Sequence, residues 1–245
     1  MKAHPLIITI GMVTLTSSAQ PALKEVFTNY FLIGTAVTES QIAGQNPIQT
    51  TLIKKHFNAI TPENMMKWEG IHPRPDRFNF APSDRFVEFG EKNGMFIIGH
   101  TLIWHEQTPK WVFEDGQGGS ASRDLLLTRM SNHIHTVVGR YKGRIKGWDV
   151  VNEALNEDGT LRSTPWLNII GEDYLVKAFE FAHAADPGAE LYYNDYSLEN
   201  EPKRNGAIAL VKKLQSVGAK ITAIGTQTHA KLDWPSPQLV DDTLT

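Results

Sequence analysis

The chain has 245 residues, with 24 Lys and Arg against 27 Asp and Glu, a formal net charge of −3, and no cysteine. That balance excludes a strongly basic nucleic-acid binder and an acidic disordered tail. The missing thiols exclude disulfides, thiolate zinc sites, iron–sulfur ligation and cysteine nucleophiles.

Lys2 and His4 precede an apolar run over 5–15, and the small residues Thr16-Ser17-Ser18-Ala19 follow. This pattern reads as an export leader cleaved after Ala19, because the run falls short of the ~20 residues needed to span a bilayer. It leaves 20–245 as the folded domain of a secreted or periplasmic bacterial protein, with no membrane attachment once the leader is gone. From about Tyr30, short β-branched and aromatic runs alternate with helical periodicity, and strands are predicted over 31–37, 57–62, 95–103, 145–151, 190–194 and 221–226. Between them, Asn46-Pro47 opens a helix to His56, Ser83 caps one to Asn93-Gly94, and Ser122 caps one to about Tyr141. Thr164-Pro165 opens a single helix ending near Asp186-Pro187-Gly188, Pro202 opens one ending at Gly218, and another helix follows the sixth strand. Repeated strand–helix units imply an α/β fold with a parallel sheet. Neither G-x-G-x-x-G nor G-x-x-x-x-G-K-[ST] occurs, so a phosphate-cradling doubly wound fold gives way to a barrel. In a barrel, function sits at the C-terminal ends of the strands.

Those ends carry polar and aromatic groups in succession. The second strand runs into Glu63-Asn64-Met65-Met66-Lys67-Trp68, and the third into His100-Thr101-Leu102-Ile103-Trp104-His105-Glu106-Gln107. The fourth ends in Trp148-Asp149-Val150-Val151-Asn152-Glu153, the fifth in Asn194-Asp195-Tyr196 and the sixth in Gln227-Thr228-His229. Such a mixture suits a sugar, whose hydroxyls need donors and acceptors while its C–H faces stack on rings. Glu153 is the leading candidate, because glycoside cleavage needs a carboxylic acid to protonate the leaving oxygen; the competing reading is a Glu that merely favours a helix dipole. Asn152 beside it can bond a sugar hydroxyl. His100 and His105 are either site groups or satisfied polar side chains. His133 and His135 are two apart on a predicted helix and point to different faces, so no metal site is expected there. About half of the tryptophans are expected in the core, with Trp104 walling a cleft, and Lys67, one helical turn after Glu63, is assigned to the site.

Taken in order, Thr61-Pro62-Glu63-Asn64-Met65-Met66-Lys67-Trp68, Gly99-His100-Thr101-Leu102-Ile103-Trp104-His105 and Trp148-Asp149-Val150-Val151-Asn152-Glu153-Ala154 resemble glycoside hydrolase family 10, the endo-β-1,4-xylanases. The resemblance runs from about Leu32 to the last residue. It implies a (β/α)8 TIM barrel and retaining two-carboxylate hydrolysis of internal bonds in xylan, with no cofactor or metal. The implied partners are xylan or xylo-oligosaccharides and no nucleic acid, the full-length form being a monomer. Glu153 matches the family's acid/base. Asn152 matches the residue contacting the sugar next to the scissile bond, and His100 and Trp104 match groups lining the same subsite. Glu63, Asn64, Lys67 and Gln107 match the next glycone subsite, Tyr196 the aglycone side, and Gln227 and His229 the pair beside the nucleophile.

One departure is large. The family's nucleophile is a Glu ending the seventh strand, and only about six of the eight strand–helix units are found before Thr245. The resemblance gives neither Glu63 nor Asp195 that role. The expectation is an incomplete barrel, inactive as it stands, and poorly stable because the first and sixth strands keep unpaired edges. The alternatives are a non-catalytic xylan-binding short form and a barrel glycosidase acting on β-1,4-glucan.

Overall fold

The computed structural model describes residues 20–245, so the leader-like residues 1–19 lie outside the described residues. Six strands form one sheet: β1 (Gly34–Val37), β2 (Ala59–Pro62), β3 (Phe96–Ile103), β4 (Gly147–Asn152), β5 (Glu190–Asp195) and β6 (Ala223–Thr226). Each overlaps its predicted run. Every neighbouring pair is parallel, and the sheet order follows the chain from β1 to β6 without reversal. A doubly wound sheet would turn back at a switch point. Sequential order is the winding of a (β/α)8 barrel, here with six of its strands among the described residues.

The helices are α1 (Leu23–Val26), α2 (Glu39–Ile42), α3 (Pro47–His56), α4 (Trp68–Ile71), α5 (Ala81–Lys92), α6 (Arg123–Arg140), α7 (Pro165–Ile170), α8 (Tyr174–Ala185), α9 (Glu201–Ser216) and α10 (Pro237–Leu244). Their starts follow the capping chemistry of the sequence. Asn46, Ser122, Thr164 and Ser236 each accept a backbone N–H from three residues on, satisfying a donor that the first turn leaves free.

Two helix expectations are corrected. Ser83 is not a cap: α5 begins two residues earlier, and the buried Ser83 hydroxyl donates to the Met65 carbonyl at 3.0 Å. The predicted single helix from Thr164-Pro165 is two, because Gly171 at φ 95° stops α7 before α8 begins, a backbone region open to glycine.

The core lies between the sheet and its helices. All six residues of β4 are buried, as a central parallel strand covered on both faces requires. α6 and α8 pack together outside it through Leu126, Met130, Ile134, Leu175 and Phe179. Trp68, Trp148 and Trp166 are buried, matching the expectation that half of the tryptophans are structural. β1 and β6 are the outer strands among the described residues, and both are partly exposed.

Candidate active site

The C-terminal strand ends open into a cleft of about 710 Å³. β2 delivers Glu63 and Lys67 to it, β3 His100 and Trp104, β4 Asn152 and Glu153, and β6 Gln227 and His229. Among the described residues, four non-glycine residues adopt positive φ: Gln107, Glu153, Ser197 and Thr228. They follow β3, β4, β5 and β6 respectively, so unfavourable backbone is concentrated on this rim, where a scaffold that holds it turns strain into placement.

Glu153 is the centre of the arrangement. Its backbone N–H extends the β4–β5 ladder by bonding the Asn194 carbonyl at 2.8 Å, and φ of 58° then turns the chain out of the strand. The next helix does not start until Pro165, which removes the helix-dipole reading of this carboxylate. Its two oxygens are held separately: Trp104 Nε1 donates to Oε2 at 2.9 Å, and Gln227 Nε2 donates to Oε1 at 2.9 Å. His229 Nε2 lies 2.8 Å from Gln227 Oε1 and fixes that amide. Trp104 is fixed in turn, since its carbonyl accepts Trp166 Nε1 at 2.9 Å.

Asn152 Oδ1 accepts from Asn194 Nδ2 at 2.8 Å and Gln227 Nε2 at 3.2 Å. Its own Nδ2 is buried without a partner among the described residues, leaving both of its N–H donors unspent. Lys67 Nζ sits 4.9 Å from the Trp104 ring centre and bonds Asn64 Oδ1 at 3.0 Å. Burial holds the Lys67 ammonium below the usual lysine range, with the charges of Glu63 and Glu153 opposing that shift.

The remaining sequence-derived site residues lie further out. Asn64 and Gln107 pair through a 3.4 Å amide contact at the outer edge of the β2 and β3 ends. Tyr196 stands beside the Glu153 segment, its hydroxyl accepting Arg162 Nη2 at 2.8 Å. Asp195 turns away from the cleft: its side chain is 0% exposed and 3.0 Å from Lys203 Nζ. That leaves Glu63, Asp149 and Glu153 as the carboxylates on the cleft wall.

Two participants were not singled out from the sequence. Asp149 Oδ2 lies 2.8 Å from His100 Nδ1 and orients that ring; a charged residue inside an otherwise apolar strand was the available signal. Asn194, which fixes the Asn152 amide, had only its place in a polar strand end. His105 is half-buried beside Trp104, with its pKa lowered chiefly by burial. Among the described residues, no group of three or more His, Cys, Asp or Glu is placed to hold a metal ion, and no helix is long and apolar enough to cross a membrane.

Residues 22–245 match the model of Glycosyl hydrolase family 10. A Beta-1,4-xylanase of Dictyoglomus thermophilum is 49% identical over 226 residues, covering 91% of this chain and 61% of that protein. Among solved structures, a GH10 endoxylanase retrieved from sugarcane soil metagenome superposes with a TM-score of 0.88 at 46% identity, covering 91% of this chain and 65% of that one. The intracellular xylanase TsXylA of Thermoanaerobacterium saccharolyticum, in a complex with xylotetraose, gives a TM-score of 0.87 at 42% identity, covering 91% of this chain and 71% of that one. The chain thus spans about three fifths of the length of the Dictyoglomus relative.

Proposed function

The chain belongs to glycosyl hydrolase family 10, and on that premise we propose that its cleft binds β-1,4-linked xylose chains for retaining endo-hydrolysis, with Glu153 as acid/base. The observation that carries this is the double anchoring of the Glu153 carboxyl by Trp104 and Gln227 at the wall of an open cleft. A group that must first protonate a leaving oxygen and then activate water has to stay in one place through both steps. Asn152 Nδ2 supplies a free donor to a sugar hydroxyl, Lys67 and Glu63 bond the next sugar, and Trp104 offers an apolar edge.

The mechanism needs a second carboxyl about 5–5.5 Å from the first. Glu63 is assigned to the next sugar, Asp149 is engaged with His100, and Asp195 is buried against Lys203. The chemistry assigned to this chain's own residues is therefore the acid/base half of the reaction. We further read residues 1–19 as an export leader; secretion of a reporter fused after Ala19 tests it.

Glu153→Ala is the decisive variant. In a catalytically competent preparation it abolishes hydrolysis of unactivated xylan and spares much of the activity on aryl xylosides with good leaving groups, which need no acid. Equal losses on both substrates refute the acid/base role.

A further inference from the structure

Behind the cleft lies a buried polar cluster that this chemistry does not use. Lys203 is on the face of α9 that also buries Ala207, Leu210, Val211 and Leu214, and its side chain is 0% exposed. An ammonium there carries a large desolvation penalty, and an apolar residue of similar size would ordinarily serve the core as well or better. What Lys203 gains is a set of partners from two other segments. Its Nζ is 3.0 Å from Asp195 Oδ1, 3.1 Å from Glu157 Oε1 and 3.4 Å from the centre of the Tyr196 ring. Asp195 in turn accepts the backbone N–H of Tyr196 at 2.9 Å, that of Leu155 at 3.4 Å, and the Tyr193 hydroxyl.

These contacts converge on residues 153–162. The segment folds back on itself, with Asn156 N–H bonding the Thr160 carbonyl and Arg162 N–H bonding the Ala154 carbonyl, both at 2.8 Å. Glu153 is its first residue. Arg162, at its other end, donates to the Glu153 carbonyl at 3.2 Å, the Leu155 carbonyl at 2.9 Å and the Tyr196 hydroxyl at 2.8 Å. The tip rests on α9 glycine to glycine: a Cβ on Gly206 would stand 2.4 Å from the Gly159 carbonyl oxygen.

We propose that Lys203 is a positioning residue that locks the segment carrying Glu153, together with the Tyr196 ring, onto α9. The inference rests on the acid/base reading of Glu153. A residue at positive φ persists only where its surroundings over-determine it, and Lys203 ties down both the Glu153 segment, through Glu157 and Asp195, and the turn after β5. By occupying one face of Tyr196 it also leaves a single face of that ring for an aglycone sugar.

The test separates charge from packing. Lys203→Met combined with Asp195→Asn removes both buried charges and leaves neither unpaired. Its thermal midpoint stays near the wild-type value, its affinity for xylotetraose by calorimetry falls about tenfold, and amide exchange over 153–162 quickens about tenfold relative to 59–66. Lys203→Arg, which keeps the charge, retains most of the affinity. A lysine that only fills space predicts unchanged affinity in the double variant, and that result overturns the proposal. Absence of xylotetraose binding by the wild-type chain overturns the cleft reading instead; exchange over 153–162 then decides the lock, faster exchange supporting it and unchanged exchange refuting it. If the double variant does not fold, Glu157→Gln, at an exposed partner 3.1 Å from Lys203 Nζ, carries the same exchange test: faster exchange over 153–162 supports the lock and unchanged exchange refutes it.

Discussion

His72 and His133 face each other in the core with their Nδ1 atoms 3.2 Å apart, and His133 stacks on Trp68 at a centroid distance of 3.7 Å. Their exposures are 1% and 0%. One Nδ1 donates and the other accepts, so the accepting ring is neutral, and burial opposes protonation of both rings. Burial lowers the pKa of His72 from 6.5 to about 4, and burial followed by the His72 charge holds His133 well below 6.5. In the unfolded chain both titrate near the ordinary value. Between pH 6.5 and about 4 the unfolded state therefore binds more protons than the folded one, so stability is full above pH 6.5 and falls as the pH drops. The slope is about 1.4 kcal/mol per pH unit for each proton taken up. For His72 alone the full shift corresponds to about 3 kcal/mol, which solvent entry around a charged ring reduces to roughly 2. His133 adds a second contribution of the same sign. Against a typical domain stability of about 5–15 kcal/mol, this is a large fraction.

The assay is urea unfolding at half-unit intervals from pH 7 to pH 4.5, for the wild type and for the double variant His72→Phe with His133→Phe, which keeps aromatic stacking and removes both titrating groups. The wild-type slope should exceed that of the variant by between one and two protons. Equal slopes would show that the pair is not held neutral, and the argument from burial would fail.

Two further perturbations act elsewhere in the scaffold. A Cβ at Gly99 would lie 2.2 Å from Trp148 Cε3, so Gly99→Ala destabilises by about 1–3 kcal/mol through overpacking; an unchanged urea midpoint counts against that geometry. Arg140 bonds both oxygens of Asp84, at 2.8 and 2.6 Å, and lowers its pKa, with the Tyr141 hydroxyl also donating to it. Asp84→Asn at pH 7 therefore loses about 1 kcal/mol, and the deficit disappears as the pH falls through the lowered Asp84 pKa, where the wild type protonates too.

How much of this was legible in the sequence depends on the period of the strand. Side chains alternate between faces, so with Asn194 bonded to Asn152 at the cleft, Asp195 must point to the opposite face, toward the helix that follows. Lys203 meets it there. The direction of Asp195 was thus readable in principle, and Lys203 could be noticed as a lysine on the same helical face as Ala207, Leu210 and Leu214.

β4 defeats that logic. Asp149 and Asn152 are three residues apart and alternation sends them to opposite faces, yet both line the cleft. The pairing register of β4 shifts between Asp149 and Val151 against β5, and that of β3 shifts between His100 and Ile103 against β4. An extra residue in each place resets which side chains point inward. Val150 and Val151 carry no glycine or proline that would announce such a bulge, and Asp149 beside them marks a polar position without giving its register. The same irregularity lets His100 and Asp149 pair across the strands while Asn152 and Glu153 emerge together at the rim, the latter through its positive φ. The candidate residues could be found by their chemistry at strand ends, but their convergence depends on ladder defects that pattern reading does not register. Those defects make the β3 and β4 ends the part of the fold where a regularising substitution would cost the site most.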